Sequence, residues 1–125
     1  ALHLPPISAH VDPSWIKVGK PSFNVAAYAQ SPDGRSFSGV WSCDGPATFE
    51  WHFGADETVY VLDGRVEIDY QGQHFVLVKG DSAVFHAETS AVWHVPVHVR
   101  KSYTLYHTNW PVRMARRALK ALTQP

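Results

Sequence analysis

Short apolar or alternating runs, each closed by a turn signal, limit most strongly what this chain can fold into. The runs are 37–43, 48–53, 57–62, 65–70, 73–78, 82–85, 91–95 and 101–108. Between them stand Pro32-Asp33-Gly34, Asp44-Gly45-Pro46, Asp63-Gly64, Gln71-Gly72 and Lys79-Gly80-Asp81. Runs this short cannot make stable helices, but they suit strands with tight connections. Asp63-Gly64 lies between Tyr60-Val61-Leu62 and Val66-Glu67-Ile68. It reads as a hairpin, because the favoured two-residue turn needs positive φ. The pattern predicts an all-β sandwich or barrel over residues 37–108. Residues 1–36 carry Pro5, Pro6, Pro13 and Pro21 and read as an extended arm with room for an edge strand. In 109–125, Val112, Ala115, Leu119 and Leu122 recur at helical spacing among Arg113, Arg116, Arg117 and Lys120. That predicts a short C-terminal helix packed on the barrel.

Composition excludes several classes of function. A chain of 125 residues is one domain with a real core. Eleven basic and eleven acidic residues cancel, so neither nucleic acid nor an anionic membrane is expected as partner. No apolar run approaches the roughly 18 residues of a span, and no leader peptide is expected. Cys43 is the single cysteine, which excludes an internal disulfide and fits a reducing, cytoplasmic setting.

The stretch from Gly45 to Gly64 has a frame of its own: Gly45, then Trp51-His52-Phe53, then Glu57, then Gly64. It resembles the first motif of the cupin superfamily, where two histidines one residue apart and a later glutamate bind a metal. Here Trp51 and Phe53 hold the histidine places and Glu57 remains. The second cupin motif resembles Gly80 to Val95, with Gly80 in register, His86 and Glu88 at the Pro and Gly of a turn, and Ala91 at the remaining ligand place. Phe49-Glu50-Trp51, Asp56-Glu57-Thr58, Tyr60-Val61-Leu62-Asp63-Gly64, Gly80-Asp81, Trp93 and Val99-Arg100-Lys101-Ser102-Tyr103 follow in order. Together they resemble the small single-domain cupins related to the ureidoglycine aminohydrolase cupin domain. The resemblance implies a jelly-roll-like double-stranded β-helix, an antiparallel barrel. With three ligand places lost, it implies no metal and no other cofactor.

Strand alternation puts Trp51 with Phe53, Glu57 with Val59 and Val61, Ala91 with Trp93 and Val95, and Lys101 with Tyr103 and Leu105. The family frame turns the first three sets into the barrel. It thereby implies a pocket of Trp51, Phe53, Ala91, Trp93 and Tyr103 around Glu57. A carboxylate among rings needs a partner, because burial disfavours its charge; Lys101, Tyr103 and Arg100 are the available donors. The leading expectation is a metal-independent cupin that holds a small polar or carbohydrate-like metabolite. Glu57 is then the anchor and, if there is turnover, the proton-transfer group aided by Lys101 or Tyr103. The plainer rival is a filled barrel, with Glu57 as a structural carboxylate and the rings as core. A third reading is a metal-dependent aminohydrolase-like enzyme acting on a ureido or other small nitrogenous metabolite. That needs Glu57 together with His52, His86 or His94. Barrel edges and the proline-rich arm suggest a homodimer.

Overall fold

The computed structural model describes residues 7–8 and 11–107. The predicted C-terminal helix lies outside them. Among the described residues, ten strands carry the fold: β1 (Ile7–Ser8), β2 (Ile16–Gly19), β3 (Ser22–Gln30), β4 (Ser36–Asp44), β5 (Ala47–His52), β6 (Asp56–Tyr70), β7 (Gln73–Val78), β8 (Ser82–Phe85), β9 (Ser90–Val95) and β10 (His98–Tyr106). One 3₁₀ turn, Pro13–Trp15, precedes β2, with the Asp12 carboxylate accepting from the Ser14 N–H at its start. Three strands, β1, β2 and β3, fall within the segment read from sequence as the arm.

All pairings are antiparallel, in the order β1-β3-β4-β10-β6-β9-β5-β2, with β7 and β8 also on β6. The chain therefore curls into an antiparallel barrel, as its short alternating runs predict. β6 closes it. Its first half pairs with β10 and β8, and its second half with β9 and β7.

Asp63-Gly64 is the joint between these halves, and here the structure corrects the hairpin expectation. The strand runs straight through the pair from Asp56 to Tyr70. Arg100 lies opposite Asp63 while Lys101 lies opposite Val61, so one residue of β6 bulges out. Gly64 takes φ 83, and an added Cβ would run into the His98 carbonyl oxygen. A bulge with a left-handed glycine bends a strand and shifts its facing by one residue. The inward positions accordingly change from Glu57, Val59 and Val61 to Val66 and Ile68. The positive φ read as a turn signal serves a sheet-to-sheet corner instead. At Gln71-Gly72 the turn expectation holds: both residues have positive φ (49 and 78) and join β6 to β7.

One core joins both sheets. Phe23, Trp41, Cys43, Val59, Val61, Phe85, Val99 and Tyr103 meet Phe49, Val66, Ile68, Leu77, Ala91, Trp93 and Val95. Cys43 is fully buried, and burial pushes its thiol up to about 12.

Candidate functional site

Four strands point polar or aromatic groups at one place inside the barrel. β10 brings Lys101 and Tyr103, β6 brings Glu57, β4 brings Trp41 and β9 brings Trp93. Lys101 sits in register opposite Trp41 on one side and Val61 on the other, so its stem follows the inner wall towards Glu57. Its Nζ donates to Glu57 Oε2 at 2.6 Å, and the two residues are 4% and 5% exposed. The same Nζ lies 4.9 Å from the ring centre of Trp41 and 4.5 Å from that of Trp93. Ring quadrupoles attract a cation, by about 2 kcal/mol or more when water is excluded. The two indoles therefore help offset the cost of burying the ammonium.

Both indoles also leave something unanswered. Trp41 Nε1 and Trp93 Nε1 are buried and find no hydrogen-bond partner among the described residues. Buried donors without partners are uncommon in folded proteins. The site thus has one carboxylate, one ammonium and two unpaired N–H donors within a wall of rings. Tyr103 completes it, stacked on Phe37 with centroids 6.3 Å apart. Gly39 makes room for it, since a Cβ there would come within 2.8 Å of the phenol oxygen. Burial first, and the charge of Glu57 second, raise the Tyr103 pKa, so this phenol keeps its proton.

The residues singled out from sequence fall into two groups. Trp51 is half-buried and leans on Trp15, Trp41 and Phe49 at 5.2, 5.7 and 6.2 Å. Ala91 pairs opposite it, and its small side chain leaves that wall to the indole. Trp93 lies beside Trp41 at 6.1 Å, so Trp51, Trp41 and Trp93 form one aromatic cluster, in which Trp41 and Trp93 cover the Lys101 ammonium. Phe53 belongs elsewhere: it stacks flat on Phe85 at 4.7 Å and 6°, with Tyr70 edge-on to both. Of the three donors considered for Glu57, Lys101 makes the contact and Arg100 is exposed. Sequence reading missed Trp41. The signal was present in β4, where Phe37, Gly39, Trp41 and Cys43 alternate, but β4 lies outside the first motif.

The donor set here does not fit a metal. Trp51, Phe53 and Ala91 offer no ligating atom, and Glu57 already faces an ammonium. Each histidine that a metal would need lies on the outside with its own neighbours. His52 Nε2 is 3.5 Å from Glu50, His86 Nδ1 is 3.9 Å from Asp56, and His94 bonds Asp69 and Thr48 at 3.0 Å each. Among the described residues, no three His, Cys, Asp or Glu side chains come together as a metal-binding group. Likewise, no helix among them is long and apolar enough to cross a membrane.

Comparison with known proteins places this architecture. The profile of the EutQ-like cupin domain matches residues 30–103. The chain is an EutQ-like cupin. Among solved structures it is similar to EutQ of Salmonella typhimurium LT2, described as an ethanolamine utilization protein. They share 24% identity, with a TM-score of 0.61 over 70% of this chain and 72% of that one. EutQ of Clostridium difficile is similar at 22% identity and TM-score 0.60, over 72% and 66% of the two chains. A DUF861-family protein of unknown function from Pseudomonas syringae pv. tomato DC3000 gives TM-score 0.73 at 19% identity. There the alignment covers 82% of this cupin and 44% of the other chain. Likeness at these identities establishes the fold. No curated protein matches the cupin in sequence.

Proposed function

We propose that this cupin binds a small polar or carbohydrate-like metabolite inside its barrel, without a metal, at the Glu57–Lys101 pair. The observation that carries the reading is that the two indoles covering that ion pair have buried N–H groups without a partner among the described residues. Each such donor costs about 1–3 kcal/mol when left unmade. A ligand oxygen, whether hydroxyl, carbonyl or carboxylate, would satisfy either of them. Lys101 has two further ammonium protons beyond the one given to Glu57, and the carboxylate has a second oxygen to accept a hydroxyl. The half-buried Trp51 supplies a flat apolar face of the kind that polyols and sugars stack on, and Tyr103 supplies a protonated phenol.

If the ligand is turned over, Glu57 is the group placed to move a proton, aided by Lys101 or Tyr103. The metal-dependent aminohydrolase-like reading requires His52, His86 or His94 to join Glu57. No observation favours it. The experiment is a thermal-shift screen of small metabolites. A ligand at one hundred times its Kd stabilises the fold by about 2.7 kcal/mol. That stabilisation is expected to vanish in Glu57→Gln and to fall in Trp41→Phe and Trp51→Ala. Stabilisation that survives all three changes removes the proposed site. Tight stoichiometric metal, found by elemental analysis of untagged protein and lost in Glu57→Gln, removes the metal-free part of the reading.

A further inference from the structure

The two outer faces of the barrel differ in kind. The face over β5, β9, β7 and the second half of β6 carries Glu50, His52, Glu67, Asp69, His74 and His94, paired with one another or with Lys17. The opposite face, over β4, β10, β8 and the first half of β6, is built differently. Strand alternation turns Ser38, Ser102, Thr104, Thr58, Tyr60 and Val84 outward there. Register lines up Val84, Thr58, Thr104 and Ser38 in one row across the four strands. Among the described residues of these strands, outward charges stand at the ends, at Asp44, Asp56 and Arg100, and the middle has none.

A surface meant for water intersperses charges of both signs. Loss of charge together with exposed tyrosine is instead the composition of an interface core. Tyr60 is 47% exposed and Val84 is 55% exposed, so the face is open in the single chain. Its hydroxyls are also partly satisfied within it. Ser38 Oγ and Thr104 Oγ1 bond each other across β4 and β10 at 3.1 Å, so covering them does not strand a donor.

We propose that this face packs against the same face of a second copy of the chain, in a two-fold dimer. Charge selects that occupant. A two-fold contact sets the residues near its axis against their own copies, so a charge there would meet its like. The uncharged row through Thr58 and Thr104 meets that condition. Size agrees as well. With β3, the sheet spans roughly 20 Å by 30 Å, and side-chain relief brings its accessible area near the roughly 800 Å² per partner of a standard interface. The free edge of β8 borders the face, so the contact continues onto Val84. Threonine, valine and tyrosine side chains of two such faces interdigitate as the inner faces of a sandwich do, about 10 Å apart.

The test is sedimentation of the full chain over a concentration series. The native chain is expected at twice its 14.0 kDa. Thr104→Lys sets two ammonium groups against each other near the axis and should weaken association by about a hundredfold or more. Thr58→Lys, one strand away in the same row, should do the same. Both positions are exposed, so the separated chains should keep the native circular dichroism spectrum. Thr104→Val, uncharged and β-branched, should stay dimeric. Gln73→Lys puts the same charge on exposed β7 of the other sheet and should leave the mass unchanged. A native chain that stays at 14.0 kDa overturns the proposal and leaves the face to a different partner. It is equally overturned if both lysine variants dimerise as the native chain does, or if Gln73→Lys dissociates it to the same extent.

Discussion

Lys101 decides what the barrel interior can be. Its ammonium is the sole answer the described residues give to the buried Glu57 carboxylate, at 2.6 Å, and two tryptophans cover it. Removing one partner of such a pair costs about 3–5 kcal/mol, because the other charge stays buried alone. Lys101→Met is therefore expected to lower unfolding free energy by that amount in urea titration. Adding Glu57→Leu should restore most of it, since an apolar pair of similar volume is commonly no less stable. If the double variant is as unstable as Lys101→Met, the pair is not an isolated electrostatic unit. At this scale the sequence was informative in a particular way. Alternation told which side chains share a face, and Glu57, Trp93, Lys101 and Tyr103 do meet inside. It could not choose Lys101 over Tyr103 as the partner of Glu57, because that depends on how far along β10 the stem reaches. Nor could it find Trp41, whose role comes from the pairing of β4 with β10, a contact distant in sequence.

β6 is the element that organises the fold, and Gly64 is its weak point. Left-handed φ in a non-glycine residue costs about 1–3 kcal/mol, and at Gly64 a side chain also meets the His98 carbonyl. Gly64→Ala should destabilise more than Gly72→Ala, where φ is 78 but the space is open. Equal losses in the two variants would mean that the corner at Gly64 is not a close approach. Asp63-Gly64 was misread because a hairpin and a bulge make the same demand for positive φ. Only the pairing partners distinguish them.

The outer face of β6 offers a pH test. Asp69 accepts from His74 at 2.6 Å and from His94 at 3.0 Å, and His94 in turn meets Thr48. These bonds, that of His74 first, lower the Asp69 pKa from its ordinary 3.8. A depressed carboxylate stabilises the fold above its unfolded pKa, and that contribution is lost as pH falls through the folded value. Melting temperature below the ordinary carboxylate range should thus fall more steeply in the native chain than in Asp69→Asn. Parallel acid limbs in the two proteins would contradict this.

For the whole molecule, the matched family and the curled antiparallel sheet agree on a small cupin barrel, and that much was legible. Short runs, turn residues and ordered motifs are local signals, and a barrel of hairpin-length strands is built mostly from them. The interior was less legible, because a filled core and a ligand pocket use the same rings in the same alternation. Edge strands bring a further expectation. β2, β7 and β8 each leave one side unpaired among the described residues, and Val18, Val78 and Val84 are exposed there. Unpaired edges with apolar side chains favour self-association, so sedimentation should give twice the chain's 14.0 kDa. A single species at the chain mass would rule the dimer out.

The central claim is that the indoles of Trp41 and Trp93, unpartnered among the described residues, await a ligand oxygen. The most direct measurement is the ¹H–¹⁵N spectrum of the five tryptophan indoles, recorded as a stabilising metabolite is added. The account predicts that the Trp41 and Trp93 signals, assigned by Trp→Phe substitution, move saturably and that Glu57→Gln abolishes the movement. If metabolites stabilise the protein while both indole signals stay in place, the barrel interior is core and the ligand binds elsewhere.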